Sequence, residues 1–321
     1  MGHNAAAPLR TVGLIGYGEV GRILAADLRG QGVRVVAYDV KLDADEATGR
    51  PLRAHAAGHG VALLADHGAV STAADLVISA VTADQDFAVA EASAPGISGG
   101  TFFLDLNSAS PGAKGKSATV IDAAGGRYVE GAVMTSIPPY RSAVPLLLGG
   151  PHARALEAPL RALGFTGASF YDERLGVASA TKMCRSVMIK GLEAMVIESF
   201  TAARAYGVED AVLASLKETF PGVDWEAEGT YFFQRAIEHG RRRSEEVREV
   251  AETVRDVGLE PFLAAATARR QAWVADLADE GVFGPQGSDF ARSPDWRTEA
   301  DRILAQVASA APAPSSAEKE E

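Results

Sequence analysis

Three glycines and an acid carry the first chemistry legible in this chain. Gly16, Gly18 and Gly21 lie in G-x-G-x-x-G spacing inside TVGLIGYGEVGRILAADLRGQGVRVVAYD, residues 11–39, and Asp39 closes the stretch. An apolar run precedes the glycines, a helical pattern follows them, and a β-branched run leads to the acid. That order of parts is suited to a dinucleotide. Gly16 permits a tight turn, Gly18 lets backbone approach a pyrophosphate, and Gly21 lets the next helix lie close to the strand. The helix N-terminus offers free N–H groups and partial positive charge to the phosphates. Asp39 stands where a carboxylate takes both ribose hydroxyls of NAD and repels the extra 2′-phosphate of NADP. Lys41, two residues on, leaves room for that phosphate. The expected cofactor residues here are Gly16, Tyr17, Gly18, Glu19, Val20, Gly21 and Asp39. The competing reading is a glycine turn in a similar unit that binds something else.

A second constellation lies in SATKMCRSVMIKGLEAM, residues 179–195. Lys182, Ser186, Ile189 and Glu193 recur at i, i+4, i+7 and i+11 and so share one helix face. Arg185 flanks that face and Lys190 lies beside it. Cations in an apolar helix are seldom buried unpaired. They are solvated or paired with Glu193, or they form a cationic wall at a cofactor cleft. In the second case a lysine at the reacting carbon acts as acid and base, and an arginine holds a carboxylate bidentately. His239, Arg241, Arg242 and Arg243, ahead of Glu245 and Glu246, offer the same choice. They are a solvated helix start laced with ion pairs, or an anion site for substrate.

These residues need elements to hold them. Thr11–Ile15, Val33–Tyr38, Leu76–Val81, Thr101–Leu106, Tyr128–Ala132, Val144–Leu148 and Ala168–Tyr171 read as strands, several of them buried on both faces. Helical stretches such as Gly115–Ala124 and Ala153–Leu163 separate them. The fold expected for 10–175 is a doubly wound, mainly parallel α/β domain of the Rossmann type. After Gly176 the pattern is helical throughout. One long interdomain helix, Ala178–Tyr206, opens an all-α domain over 176–305, followed by Val208–Thr219, Trp225–Glu238, Ser244–Val257 and Pro261–Ala278. Residues 1–9 read as a disordered lead-in and 306–321, rich in Ala, Pro, Ser and acid, as a disordered tail.

The net charge of −11 argues against nucleic acid or an anionic membrane as partner. The single cysteine, Cys184, excludes an intramolecular disulfide and suits a reducing cytoplasm. No apolar run reaches the length of a membrane span. His55, His59 and His67 lack ligand spacing, so no metal is expected.

The order of GLIGYGEVG, Asp39, DLNS at 105–108, EGAVMTS at 130–136 and Gly176…Lys182 resembles the β-hydroxyacid dehydrogenase family. That family includes 3-hydroxyisobutyrate and tartronate semialdehyde enzymes and the related 6-phosphogluconate dehydrogenases. The resemblance covers residues 10–300 and is stronger in the first half. The segment EHGRRRSEEVREVAETVRDVGLEP resembles a prokaryotic subgroup whose substrates are mostly unassigned. By this resemblance Lys182 is the catalytic lysine, taking the hydroxyl proton while hydride leaves the same carbon for the nicotinamide. Val81 and Thr82 match a loop lining the cofactor, and Asn107 and Ser108 a strand-end loop near nicotinamide and substrate. Met134, Thr135 and Ser136 fall where relatives have Ser-Gly-Gly, whose N–H groups hold the substrate carboxylate. Thr135 and Ser136 replace both glycines. Arg185 and Ser186 stand where the family has an asparagine, so the substrate group held there should differ. His239 and Arg242 fall near a family Lys-Asp pair that this chain lacks. They join Ser108, Met134, Thr135, Ser136, Arg185 and Ser186 as substrate-side candidates.

The expectation is an NAD-dependent oxidoreductase, with NADP retained as an option. It would transfer hydride to or from a small hydroxy acid or similar polar alcohol, anionic substrates included, held between two domains with Lys182 as acid/base. The family's dimers and tetramers imply a homodimer or higher homo-oligomer. Two alternatives stand beside this: an imine or enamine reductase on the same scaffold, and a non-catalytic dinucleotide sensor. Lys182 weighs against both.

Overall fold

The computed structural model describes residues 9–285 and 293–310. The opening unit is β1 (Thr11–Ile15), α1 (Glu19–Gly30) and β2 (Arg34–Tyr38). Next come α2 (Glu46–His59), a two-residue β3 (Ala62–Leu63), α3 (His67–Ala73), β4 (Leu76–Ser79) and α4 (Asp86–Ser93). Then follow β5 (Phe102–Asp105), α5 (Pro111–Ala123), β6 (Arg127–Val133), the single-turn α6 (Ile137–Tyr140), β7 (Leu146–Gly149), α7 (Ala153–Ala162) and β8 (Ala168–Asp172). The strands form one eight-stranded sheet in the order β3-β2-β1-β4-β5-β6-β7-β8. Every neighbouring pair is parallel except β6 with β7.

The continuous apolar runs follow from burial on both faces of this sheet. Val12, Leu14, Val35, Ala37, Leu76 and Ile78 point into one core, and Ile15, Val36, Tyr38 and Val77 into another. Strand alternation sends successive side chains to opposite faces, so a doubly covered strand has no polar face to show. The strand order reverses between β1 and β4, which opens a crevice beyond their C-terminal ends.

The rest is helical: α8 (Val177–Tyr206), α9 (Glu209–Thr219), α10 (Trp225–Arg255), α11 (Phe262–Asp279) and α12 (Trp296–Ala310). The chain divides into two compact units. One holds the sheet, runs through Arg185 within α8 and takes in Glu249–Pro261; the other comprises Ser186–Arg248 and the chain from Phe262. The second unit is built around Ile197, Phe200, Phe233, Val274, Phe283 and Trp296. Among the described residues no helix is long and apolar enough to cross a membrane.

Two sequence readings need correction. Trp225–Glu238 and Ser244–Val257 are one helix of 31 residues, so His239–Arg243 is helix interior and not a helix start. Gly240 does not break α10, because its bare backbone lies against α11. A Cβ there would come within 2.7 Å of the Gln271 carbonyl oxygen. Residues 306–310, expected in the tail, continue α12 as alanine-rich helix. The rest of the tail and residues 1–8 of the lead-in lie outside the described residues.

Candidate active site

The glycine turn follows from local geometry. Gly16 sits at φ +89°, where a Cβ would collide with the Ala80 carbonyl. A Cβ on Gly21 would strike the Gly16 carbonyl, so helix and turn pack backbone to backbone. At Gly18 a Cβ would meet nothing within 4 Å, and no side chain caps the start of α1. Open space and free N–H groups at a helix N-terminus fit a dinucleotide pyrophosphate. Glu19 is exposed, and Val20 is half-buried against the sheet core. Tyr17 is buried and meets His55 Nδ1 through its hydroxyl at 3.0 Å. Burial pushes its phenol up to about 12, against the opposing effect of Arg22.

Asp39 is only 8 % exposed. Its Oδ2 accepts from the Tyr17 backbone N–H at 2.7 Å and its Oδ1 from the Lys41 N–H at 2.9 Å. One carboxylate thus ties the end of β2 to the glycine turn. Each oxygen keeps a lone-pair site for a ribose hydroxyl. Asp43 and Asp45 add further negative charge to the segment after β2, against the exposed Lys41, while Glu46 is paired with Arg53 at 3.0 Å.

Beyond β4, the Val81 N–H donates to Asn107 Oδ1 at 2.7 Å, while Thr82 is exposed. Asn107 is buried, and its Nδ2 donates to Ser79 Oγ at 3.0 Å and Asp86 Oδ1 at 2.7 Å. Both amide protons are therefore committed inside the protein. The side chain is a tie between loops. Behind it Ser117 Oγ donates to Asp86 Oδ2 at 2.8 Å, and Tyr128 donates to Asp105 Oδ2 at 2.5 Å. Buried Lys114 lies 3.5 Å from Asp105 Oδ1. Burial pushes the Asp105 carboxyl up to about 7, Lys114 pulls it down, and Asp86 adds to the rise.

Lys182, in the first part of α8, is half-buried and donates from Nζ to Ser108 Oγ at 2.7 Å. Ser108 follows β5 by three residues, at the same sheet edge as the glycine turn and Val81. Met134 is half-buried and donates to the Pro145 carbonyl at 3.0 Å; Thr135 and Ser136 are exposed. Neither needs a glycine, because Arg141 is the one non-glycine at positive φ among the described residues.

Gly16–Gly21, Asp39, Val81, Asn107, Ser108, Met134–Ser136 and Lys182 all belong to the sheet unit, as does the exposed Arg185. Ser186, His239 and Arg242 belong to the helical unit. Ser186 is buried. His239 is half-buried, and its pKa is lowered by burial first and by Arg235 next. The arginine run is engaged in ion pairs: Arg241 with Asp276 and Asp279, Arg242 with Glu246, and buried Arg243 with Glu193. Lys190 pairs with Glu246 at 2.8 Å. Glu193, offered by spacing as a partner for the Lys182 face, is thus taken by Arg243 and by Gln271 at 3.2 Å. Asp86, Glu130 and Tyr128 were not singled out in the sequence. Glu130 and Tyr128 are signalled as polar residues within the apolar strand β6, while Asp86, at the start of α4, carries no motif.

Residues 11–169 match the NAD binding domain of 6-phosphogluconate dehydrogenase, and residues 203–274 match a domain of unknown function, DUF1932. A conserved hypothetical protein of Sinorhizobium meliloti 1021 is 38 % identical, with 93 % of this chain and 98 % of that one covered at a TM-score of 0.73. A conserved protein of unknown function, MTH1747, described as structurally similar to 3-hydroxyacid dehydrogenases, is 29 % identical. That match covers 84 % of this chain and 98 % of the other at a TM-score of 0.65. The mitochondrial 3-hydroxyisobutyrate dehydrogenase of Drosophila melanogaster is 24 % identical over 226 residues, covering 68 % of this chain and 66 % of that protein.

Proposed function

The chain belongs to the β-hydroxyacid dehydrogenase family and carries its NAD(P)-binding domain, and on that footing we propose that it is an oxidoreductase acting on a small hydroxy acid or similar polar alcohol. The observation that carries this reading is the Lys182–Ser108 hydrogen bond of 2.7 Å, at the sheet edge where the glycine turn ends. A lysine so held has a fixed Nζ beside the loop expected at the nicotinamide. When bound, the nicotinamide accepts or supplies hydride. Lys182 removes the hydroxyl proton in oxidation and returns it in reduction. Ser108 holds the ammonium in place and is free to pass its own proton on. The backbone N–H groups of Thr135 and Ser136 are the proposed seat of a substrate carboxylate, and exposed Arg185 a bidentate alternative. Most of the rate effect comes from holding the reacting carbon in near-attack geometry.

Asp39 and the acids after it support NAD over NADP, by repulsion of a 2′-phosphate. Exposed Met188, Ile189 and Met195 on α8, with Phe262 and Leu263 on α11, support self-association through the helical unit. The single cysteine, Cys184, supports a reducing compartment such as the cytoplasm.

The test is steady-state turnover with NADH and NADPH against a panel of carbonyl acids, with matched imines as a second panel. Lys182→Ala should lower kcat at least about a hundredfold, as loss of a general acid–base does, and leave NADH affinity nearly intact. Undiminished turnover in that variant would sink the assignment of Lys182. Turnover of imines alone would favour a reductive amination scaffold.

A further inference from the structure

Glu130 sits in the middle of β6 and is fully buried. Among the described residues no cation forms an ion pair with it. A buried, unpaired carboxylate is costly, so its compensation must come from hydrogen bonds. They come from the start of α8. Oε1 accepts from the N–H groups of Gly176 at 2.9 Å and Ala178 at 3.1 Å. Oε2 accepts from the Ser179 N–H at 3.3 Å and the Ser179 hydroxyl at 2.7 Å. These are the otherwise orphaned donors of a helix N-terminus, whose partial positive charge favours an anion. The chain leaves room for the carboxylate. Gly149, the register partner of Glu130 on β7, could not carry a Cβ, which would lie 2.8 Å from Glu130 Cγ.

The consequence lies three residues further along. Lys182 is at i+3 from Ser179 and so lies over the same helix turn. The first turns of α8 are therefore fastened twice. Glu130 holds the helix start from β6, and Ser108, beyond the neighbouring β5, holds the Lys182 Nζ. The height and rotation of α8, and hence the reach of Lys182, depend on both.

We propose that Glu130 is the positioning residue of Lys182: its buried carboxylate fixes the first turn of α8 and so keeps the lysine Nζ in register with Ser108. This rests on the reading of Lys182 as the acid/base. Glu130→Gln leaves backbone donors of the α8 start facing an amide N–H₂, which loosens the first turn and with it the register of Lys182 with Ser108.

The experiment is Glu130→Gln, with Lys182→Ala and wild type alongside. Two readouts are taken: kcat and KM with the best panel substrate, and the pH dependence of Lys182 acetylation by acetic anhydride, followed by mass spectrometry. For Glu130→Gln we expect kcat at least about tenfold lower, NADH affinity within about twofold, and the acetylation midpoint of Lys182 lower by about one pH unit, because the ammonium loses its hydrogen bond to Ser108. An unchanged midpoint and kcat in folded Glu130→Gln overturns the proposal. If Lys182→Ala keeps its turnover, the acid/base reading fails by itself, and the acetylation midpoint still decides whether Glu130 governs the lysine. Should Glu130→Gln not fold, Gly149→Ala crowds the same carboxylate with every charge retained, and Ser179→Ala removes one donor. Either should move acetylation of Lys182 in folded protein, and a profile identical to wild type in both overturns the proposal.

Discussion

Asn107 holds Val81: the side-chain Oδ1 accepts the Val81 N–H at 2.7 Å across 26 residues of sequence. The same amide donates to Asp86 and Ser79, so three segments meet on one buried side chain. The loop after β4 is thereby set by a residue after β5.

Asn107→Ala should break that tie. It leaves the Val81 N–H and an Asp86 oxygen without their partner, at a cost of about 1–3 kcal/mol for each buried group. The expected outcome is a lower urea midpoint together with a weaker NADH affinity, because Val81 lies on the loop expected to line the nicotinamide. Loss of stability with an unchanged Kd for NADH would show that this loop does not meet the cofactor.

Asp39 joins two roles that substitution can separate. Asp39→Asn keeps one oxygen for either Tyr17 or Lys41 but removes the charge. The preference for NADH over NADPH in kcat/KM should fall about tenfold, since repulsion of a 2′-phosphate on the order of 1.4 kcal/mol is removed. A preference ratio equal to wild type would move the source of discrimination to Asp43 or Asp45.

How much of this was legible in the sequence depends on distance along the chain. The glycine turn and Asp39 fall within 29 contiguous residues, and their spacing alone encodes a local βαβ geometry. The Lys182–Ser108 pair spans 74 residues, so helical periodicity marks the lysine's face but cannot name what it meets. The family resemblance puts Asn107 beside the cofactor, yet its donors turn inward to Asp86, a helix residue with no motif of its own. Glu130 appears in sequence as one acid in an apolar strand. Only the arrival of the α8 N-terminus explains it. The arginine run reads in sequence as a solvated helix start, whereas α10 runs through it and Gly240 serves close packing on α11.

Arg243 and Glu193 form a buried ion pair in the helical unit, with Gln271 as a third member. Arg243→Met should cost about 3–5 kcal/mol by stranding the Glu193 charge. Pairing it with Glu193→Leu should restore most of that loss, because two apolar side chains then fill the space. Urea unfolding of the two single variants and the double variant measures the coupling. If the costs simply add, the two side chains act independently.

Asp105 should make stability depend on pH. Its folded value, pushed up to about 7, lies above the ordinary 3.8, mainly through burial. The native protein therefore keeps a proton that the unfolded chain releases. Stability from this group is full below about pH 4, declines as pH rises toward 7, and levels off above that. In Asp105→Asn the neutral amide has no proton to lose, and the Tyr128 hydroxyl can turn to accept from it. The unfolding free energy of wild type relative to the variant, measured by urea from pH 4.5 to 7.5, should fall steadily as pH rises. Parallel curves across that window would show that Lys114, at 3.5 Å, keeps Asp105 ionised throughout.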